Sequence, residues 1–157
     1  FSRKGYNIES IVSGATDRPG TARIYIELLA DELIINQLAT QCRRLLGVQA
    51  VKIFDEESCI RREIALIKVK AADHSARDEV IQLSNIFRGH IIDVDRESLT
   101  VWVFGSQSKN AALISMLEEF GILEIAKTGT IAIERGRSTI YDASKLKEEY
   151  EYGKNVL

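Results

Sequence analysis

One order of hydrophobic patterns occurs twice along this chain, and that duplication leaves few folds open to it. In the second copy, residues 64–69 read as a strand. Residues 76–88 read as a helix with Val80, Leu83 and Phe87 on one stripe, closed by Gly89. Residues 91–94 and 99–104 form a hairpin. Residues 109–120 form a second helix that buries Leu113, Ile114, Leu117 and Phe120, and 122–133 is the closing strand region. The order is βαββαβ, the split βαβ or ferredoxin-like unit.

The first copy starts part-way through. Phe1 to Tyr6 reads as the end of a helix stopped at Gly5. Residues 8–13 read as a strand and 16–20 as a turn cluster punctuated by Pro19 and Gly20. Over 22–28 the pattern alternates, with Ile24, Ile26 and Leu28 pointing one way and Arg23, Tyr25 and Glu27 the other, a half-buried strand. Residues 31–46 change to helical spacing through Ile34, Ile35, Leu38, Cys42, Leu45 and Leu46, and Gly47 ends the helix; residues 48–54 read as a strand. The aromatic–basic–Gly–strand junction from Phe1 to Ile8 corresponds to that from Phe87 to Ile91, and Leu46-Gly47-Val48 corresponds to Phe120-Gly121-Ile122. The first stretch is the same unit without its opening strand and most of its first helix. The expected architecture is therefore α+β, with one truncated unit over 1–58, a polar connection, a complete unit over 63–135 and a tail over 136–157. In the tail, Lys145, Leu146, Glu149 and Tyr150 allow a short amphipathic helix, an irregular tail being the other reading.

Units this small bury a modest fraction of their surface, and a sheet with helices on one face leaves the other face to be covered. Leu99, Val101 and Val103 share one face of their strand; Trp102 and Phe104 share the opposite one. With the aliphatic set under the helices, Trp102 and Phe104 lie on the helix-free face, against a partner, the tail or a neighbouring strand's side chains.

The formal net charge of -2 gives no footprint for nucleic acid. No apolar run approaches the roughly 20 residues that span a bilayer. Cys42 and Cys59 fit a reducing compartment better than a disulfide framework. No N-terminal targeting segment is read, and Phe1 is not an initiator methionine, so the sequence reads as beginning inside a longer protein. His74, in an expected loop, and His90, at a helix-to-strand junction, have no metal ligand at the right spacing. Cys42 falls on an apolar stripe and Cys59 in the polar connection, neither with an activating partner. Gly14, Gly20, Gly105, Gly129 and Gly136 are isolated turn glycines, and Glu56-Glu57 and Glu118-Glu119 diverge as adjacent residues must. With no reactive constellation, the duplicated unit reads as a sensor or interaction module rather than an enzyme, with no metal and no cofactor of its own.

Several strings resemble one family in its own order. The run Phe1-Ser2-Arg3-Lys4-Gly5-Tyr6-Asn7-Ile8-Glu9-Ser10 closely resembles the corresponding segment of acetolactate synthase (acetohydroxyacid synthase) small subunits. Arg62-Glu63-Ile64-Ala65-Leu66-Ile67-Lys68-Val69 is similar to that family's linker-to-strand segment. Ile86-Phe87-Arg88-Gly89-His90-Ile91-Ile92-Asp93-Val94, Ser98-Leu99-Thr100-Val101 and Lys127-Thr128-Gly129-Thr130-Ile131-Ala132 resemble it too, so the likeness runs from Phe1 to Arg135. It implies an N-terminal ACT domain, a C-terminal ferredoxin-like domain and a homodimer joined through ACT domains. It also implies a regulatory subunit that activates a catalytic large subunit carrying thiamine diphosphate, Mg²⁺ and FAD, with valine or a related amino acid as feedback inhibitor.

The family's effector lies between two ACT domains, against the Asn of Gly-Tyr-Asn-Ile on one side, which carries over to Asn7 with Ile8 beside it. The opposite side of that site falls in the strand and loop that precede this sequence. An Asn offers donors and an acceptor to an amino acid's carboxylate and ammonium. From spacing alone, a turn cap after Gly5 is the favoured role for Asn7, and the resemblance reverses that. Trp102 and Phe104 depart from the family's usual polar residues on that strand and mark a candidate partner surface. The compartment is the cytoplasm for a bacterial source, a plastid or mitochondrion for a eukaryotic one. The competing expectation is a free-standing ACT-domain amino-acid sensor that controls another enzyme or a transcription factor.

Overall fold

The computed structural model describes residues 7–143. The readings of a helix end at residues 1–6 and of an amphipathic helix through Lys145, Leu146, Glu149 and Tyr150 lie outside them. The described residues form an α+β structure in two compact units. One holds residues 10–25 and 61–131; the other holds 7–9, 26–60 and 132–143.

The complete βαββαβ unit comprises β3 (Cys59–Lys70), α2 (His74–Ile86), β4 (His90–Val94), β5 (Ser98–Gly105), α3 (Gln107–Leu117) and β6 (Ile122–Lys127). It follows β1 (Asn7–Ala15), β2 (Ala22–Leu29) and α1 (Glu32–Arg43), and precedes β7 (Ile131–Glu134). The main sheet has the order β4-β5-β3-β6, and β7 also pairs with β3. Pairing with β5 is antiparallel and sets Ala65 opposite Val103, Ile67 opposite Val101 and Val69 opposite Leu99. With a side-chain period of two, this register gathers all six on one face. Val80 of α2 and Leu113 and Leu117 of α3 close over them in one core. The helices begin where short polar side chains take orphan amides. Asp73 Oδ1 accepts from the Ala76 N–H at 2.7 Å, and Ser106 Oγ accepts from the Lys109 N–H at 3.3 Å. Each such cap is worth about 1 kcal/mol.

Some boundaries differ from the sequence reading, each for an identifiable reason. His74 is the first residue of α2, not a loop residue, because Asp73 caps the helix just before it. Cys59 is buried and opens β3, five residues before the strand was expected, because the polar connection is itself drawn into the ladder by β7. The closing strand region is split. Thr128 keeps the ladder intact across the break, its N–H donating to the Ile64 carbonyl and its Oγ1 accepting from the Ile64 N–H, both at 3.0 Å.

The largest difference is at residues 48–54, expected as a strand, which carry a single bridge residue, Ala50. In the complete unit the last strand, β6, pairs with the opening strand, β3. Among the described residues, 48–54 join neither sheet path, so beyond the bridge at Ala50 they have no ladder to bond to. The β1–β2 ribbon is open on one side. Ile11, Ile24 and Ile26 are 60%, 61% and 39% exposed, whereas Arg23, Tyr25 and Glu27 are half-buried. The apolar side of β2 is thus the open one.

The core makes a direct prediction. Leu113 is fully buried between α3 and the sheet, so Leu113→Ala should cost about 2–5 kcal/mol in urea unfolding. A loss well under 1 kcal/mol would mean that α3 is not packed on this sheet.

Candidate functional site

Asn7 and Ile8 open β1, Asn7 exposed and Ile8 half-buried. Trp102 and Phe104 stand on β5 in the other sheet, on the face away from α2 and α3. The two candidate pairs are therefore carried by different sheets.

On β1 the side chains of Ser10 and Val12 reach the turn between β6 and β7. Gly129 there has φ +82, and an added Cβ would stand 2.4 Å from Val12 Cγ2 and 2.7 Å from Ser10 Oγ. This glycine meets two demands, a left-handed backbone and close approach of another strand. Sequence reading marked it only as an isolated turn glycine, because the strand it receives is more than a hundred residues earlier.

On β5, the Trp102 and Phe104 rings are nearly parallel, 12° between planes with centroids 6.4 Å apart, and the His90 ring lies 5.2 Å from Trp102. Leu66 and Ile64 of β3 are their register partners, and Phe104 is 43% exposed. The rings open into a cleft of about 500 Å³ lined by Arg62, Arg88, His90, Ser106 and Lys109 as well as the two aromatics. Of these, sequence reading picked out the aromatics as a candidate surface and set His90 aside as a metal ligand. The basic residues lie on three separate segments, Arg88 and His90 sharing one, and the folded sheet joins the three.

Under the cleft, Asn110 Nδ2 donates to the Glu63 carbonyl at 3.1 Å and to Glu63 Oε1 at 3.5 Å, both residues being buried. That pair ties α3 to β3. No group of three or more His, Cys, Asp or Glu among the described residues is placed to hold a metal ion. Cys42 and Cys59 are free thiols, half-buried and buried. No helix among the described residues is long and apolar enough to cross a membrane.

Comparison with known proteins bears on both segments. Residues 62–136 match the family model described as the small subunit of acetolactate synthase, and residues 1–50 match the AHAS small subunit-like ACT domain. A probable acetolactate synthase small subunit of Methanothermobacter thermautotrophicus is 40% identical over 140 residues, 89% of this chain and 83% of that one. This chain belongs to the acetolactate synthase small-subunit family. The acetolactate synthase small subunit of Mycobacterium bovis is 43% identical over 136 residues, covering 87% of this chain and 80% of its own length. The crystal structure of the small subunit from Thermotoga maritima superposes with a TM-score of 0.76 at 39% identity, over 88% of this chain and 86% of that one. The ferredoxin-like architecture thus agrees with a solved member of the family.

The Gly129 contact can be tested by substitution. Gly129→Ala should destabilise the chain by more than 1 kcal/mol, since alanine is strained at this φ and meets Val12. Adding Val12→Ala should recover part of that loss in thermal unfolding. Equal stability of Gly129→Ala and the parent would rule out the contact.

Proposed function

We propose that this chain is a regulatory, non-catalytic subunit of acetolactate synthase. In this reading it binds and activates a catalytic large subunit that carries thiamine diphosphate, Mg²⁺ and FAD. It also confers feedback inhibition by valine in branched-chain amino-acid biosynthesis. The observation that carries the reading is the match of both segments to small-subunit models, backed by relatives about 40% identical over most of the chain. The working domain division is an ACT domain over 1–58, a C-terminal ferredoxin-like domain over 63–135 and a tail beyond.

Two features support the regulatory part. Asn7 is exposed at the start of β1, where its amide can meet the carboxylate and ammonium of a free amino acid. The open aliphatic side of the ribbon, Ile11 with Ile24 and Ile26, gives a second ACT domain apolar surface to cover. In a homodimer of this kind the effector site is shared, and Ile8 supplies apolar contact beside Asn7. For valine to regulate, it must bind one state of the complex more tightly than another, a coupling typically of about 1–3 kcal/mol.

The test is acetolactate formation by the matching catalytic subunit, with and without this protein, across a valine titration. Stimulation that valine suppresses is the expected result. Asn7→Arg should then raise the valine concentration for half-inhibition by about tenfold or more while leaving the stimulation intact. Normal valine sensitivity in that variant would remove Asn7 from the site. No stimulation of the catalytic subunit would sink the regulatory reading itself and leave a free-standing sensor.

A further inference from the structure

We propose that the cleft at the Trp102–Phe104 end of the helix-free face binds a small ligand combining a phosphate group with a flat unsaturated ring, of the nucleoside phosphate class. The argument begins with charge. The cations Arg62, Arg88 and Lys109 line the cleft beside His90, and no carboxylate does. The adjacent acid, Glu63, is buried on the opposite face of β3 against Asn110. A surplus of cationic donors in a chain of net charge -2 is therefore local. Arg62 Nη1 donates to the Arg61 carbonyl at 2.8 Å, one of the five N–H donors of a guanidinium. The first turn of α3 adds the positive end of a helix, opening at Ser106 in the cleft wall.

Backbone geometry points the same way. Arg88 sits at φ +58, the left-handed residue after α2, in a position that glycine takes at lower cost. Its N–H donates to the Asn85 carbonyl at 3.0 Å, and the Gly89 N–H donates to the Ser84 carbonyl at 2.7 Å. The glycine at 89 is needed elsewhere, because a Cβ there would stand 2.8 Å from the Trp102 carbonyl oxygen. An arginine is thus held in a strained conformation at the rim of the cleft. At the other rim, Gly105 lets Lys109 fold close. An added Cβ would lie 2.8 Å from Lys109 Cδ, and Lys109 Nζ donates to the Phe104 carbonyl at 3.2 Å.

The floor fixes the rest of the ligand. Two near-parallel rings with His90 beside them offer flat apolar area next to the cations. A ring stacks there while guanidinium groups take the phosphate, a pairing suited to their planar fork. The volume of about 500 Å³ suits a small molecule. Three cationic side chains around one cleft, in a chain of net charge -2, suit a single phosphate group rather than a polynucleotide.

Trp102 is the sole tryptophan, so its fluorescence reports on this cleft alone. The experiment titrates the protein, without any catalytic partner, with adenosine monophosphate, adenosine and inorganic phosphate. Saturable quenching by the nucleotide is expected, with each half of it binding at least about tenfold more weakly. Arg88→Gly should weaken nucleotide binding about tenfold with no fall in the thermal midpoint, since glycine relieves the backbone. Arg62→Ala should weaken it as well. No saturable quenching at millimolar nucleotide would overturn the proposal, as would equal binding of phosphate and nucleotide. Unchanged affinity in both arginine variants would also overturn it. Tighter binding of a polyglutamate peptide, displacing the nucleotide, would overturn it in favour of an acidic protein segment.

Discussion

β3 is hydrogen-bonded along both edges, by β5 over residues 63–70 on one side and by β6 and then β7 on the other. Its alternation divides the C-terminal unit into two chemistries. Ala65, Ile67 and Val69 are fully buried under the helices, while Ile64, Leu66 and Lys68 face the other way beside Phe104, Trp102 and Thr100. A register slip of one residue would exchange these sets and bury Lys68. The core, the aromatic pair and the placement of Arg62 at the cleft all descend from this one registration.

The first segment is simpler in its pairing. The ribbon of β1 and β2 is two-stranded, and residues 48–54 carry only the bridge residue Ala50. Their composition is strand-like, but composition cannot supply hydrogen-bond partners.

This contrast shows what could be read in the sequence. Local periodicity was enough for α2, α3 and β5, since Val80, Leu83 and Phe87 repeat at helical spacing in one segment, Leu113 and Leu117 in another, and Leu99, Val101 and Val103 at spacing two. It also placed Trp102 and Phe104 on the face away from the helices. Features that depend on distant partners were not legible: the burial of Cys59, the division of β6 from β7, and the glycine at 129 that receives Val12. Gly89 was read as closing α2 because glycine is the usual stop, whereas Arg88 takes the left-handed conformation and Gly89 allows the approach of the Trp102 carbonyl. The basic rim escaped notice because Arg62, the Arg88–His90 turn and Lys109 meet only through the sheet order. Asn7 was visible only through family likeness, since an exposed Asn at the start of a strand has no distinctive periodicity.

The split strand also bears on how the βαββαβ segment responds to force. Just before β3 and just after β7, the Arg135 N–H donates to the Ser58 carbonyl at 2.8 Å. Tension applied through both ends therefore opens a zipper: β7 peels from β3 first, the Thr128–Thr130 bend yields next, and β6 follows. Each step breaks a hydrogen bond or two, rather than shearing a whole ladder at once. Such a strand pair gives way step by step when its two ends are pulled apart, while the core around Leu113 and Val101 lies beyond the first hydrogen bonds to break.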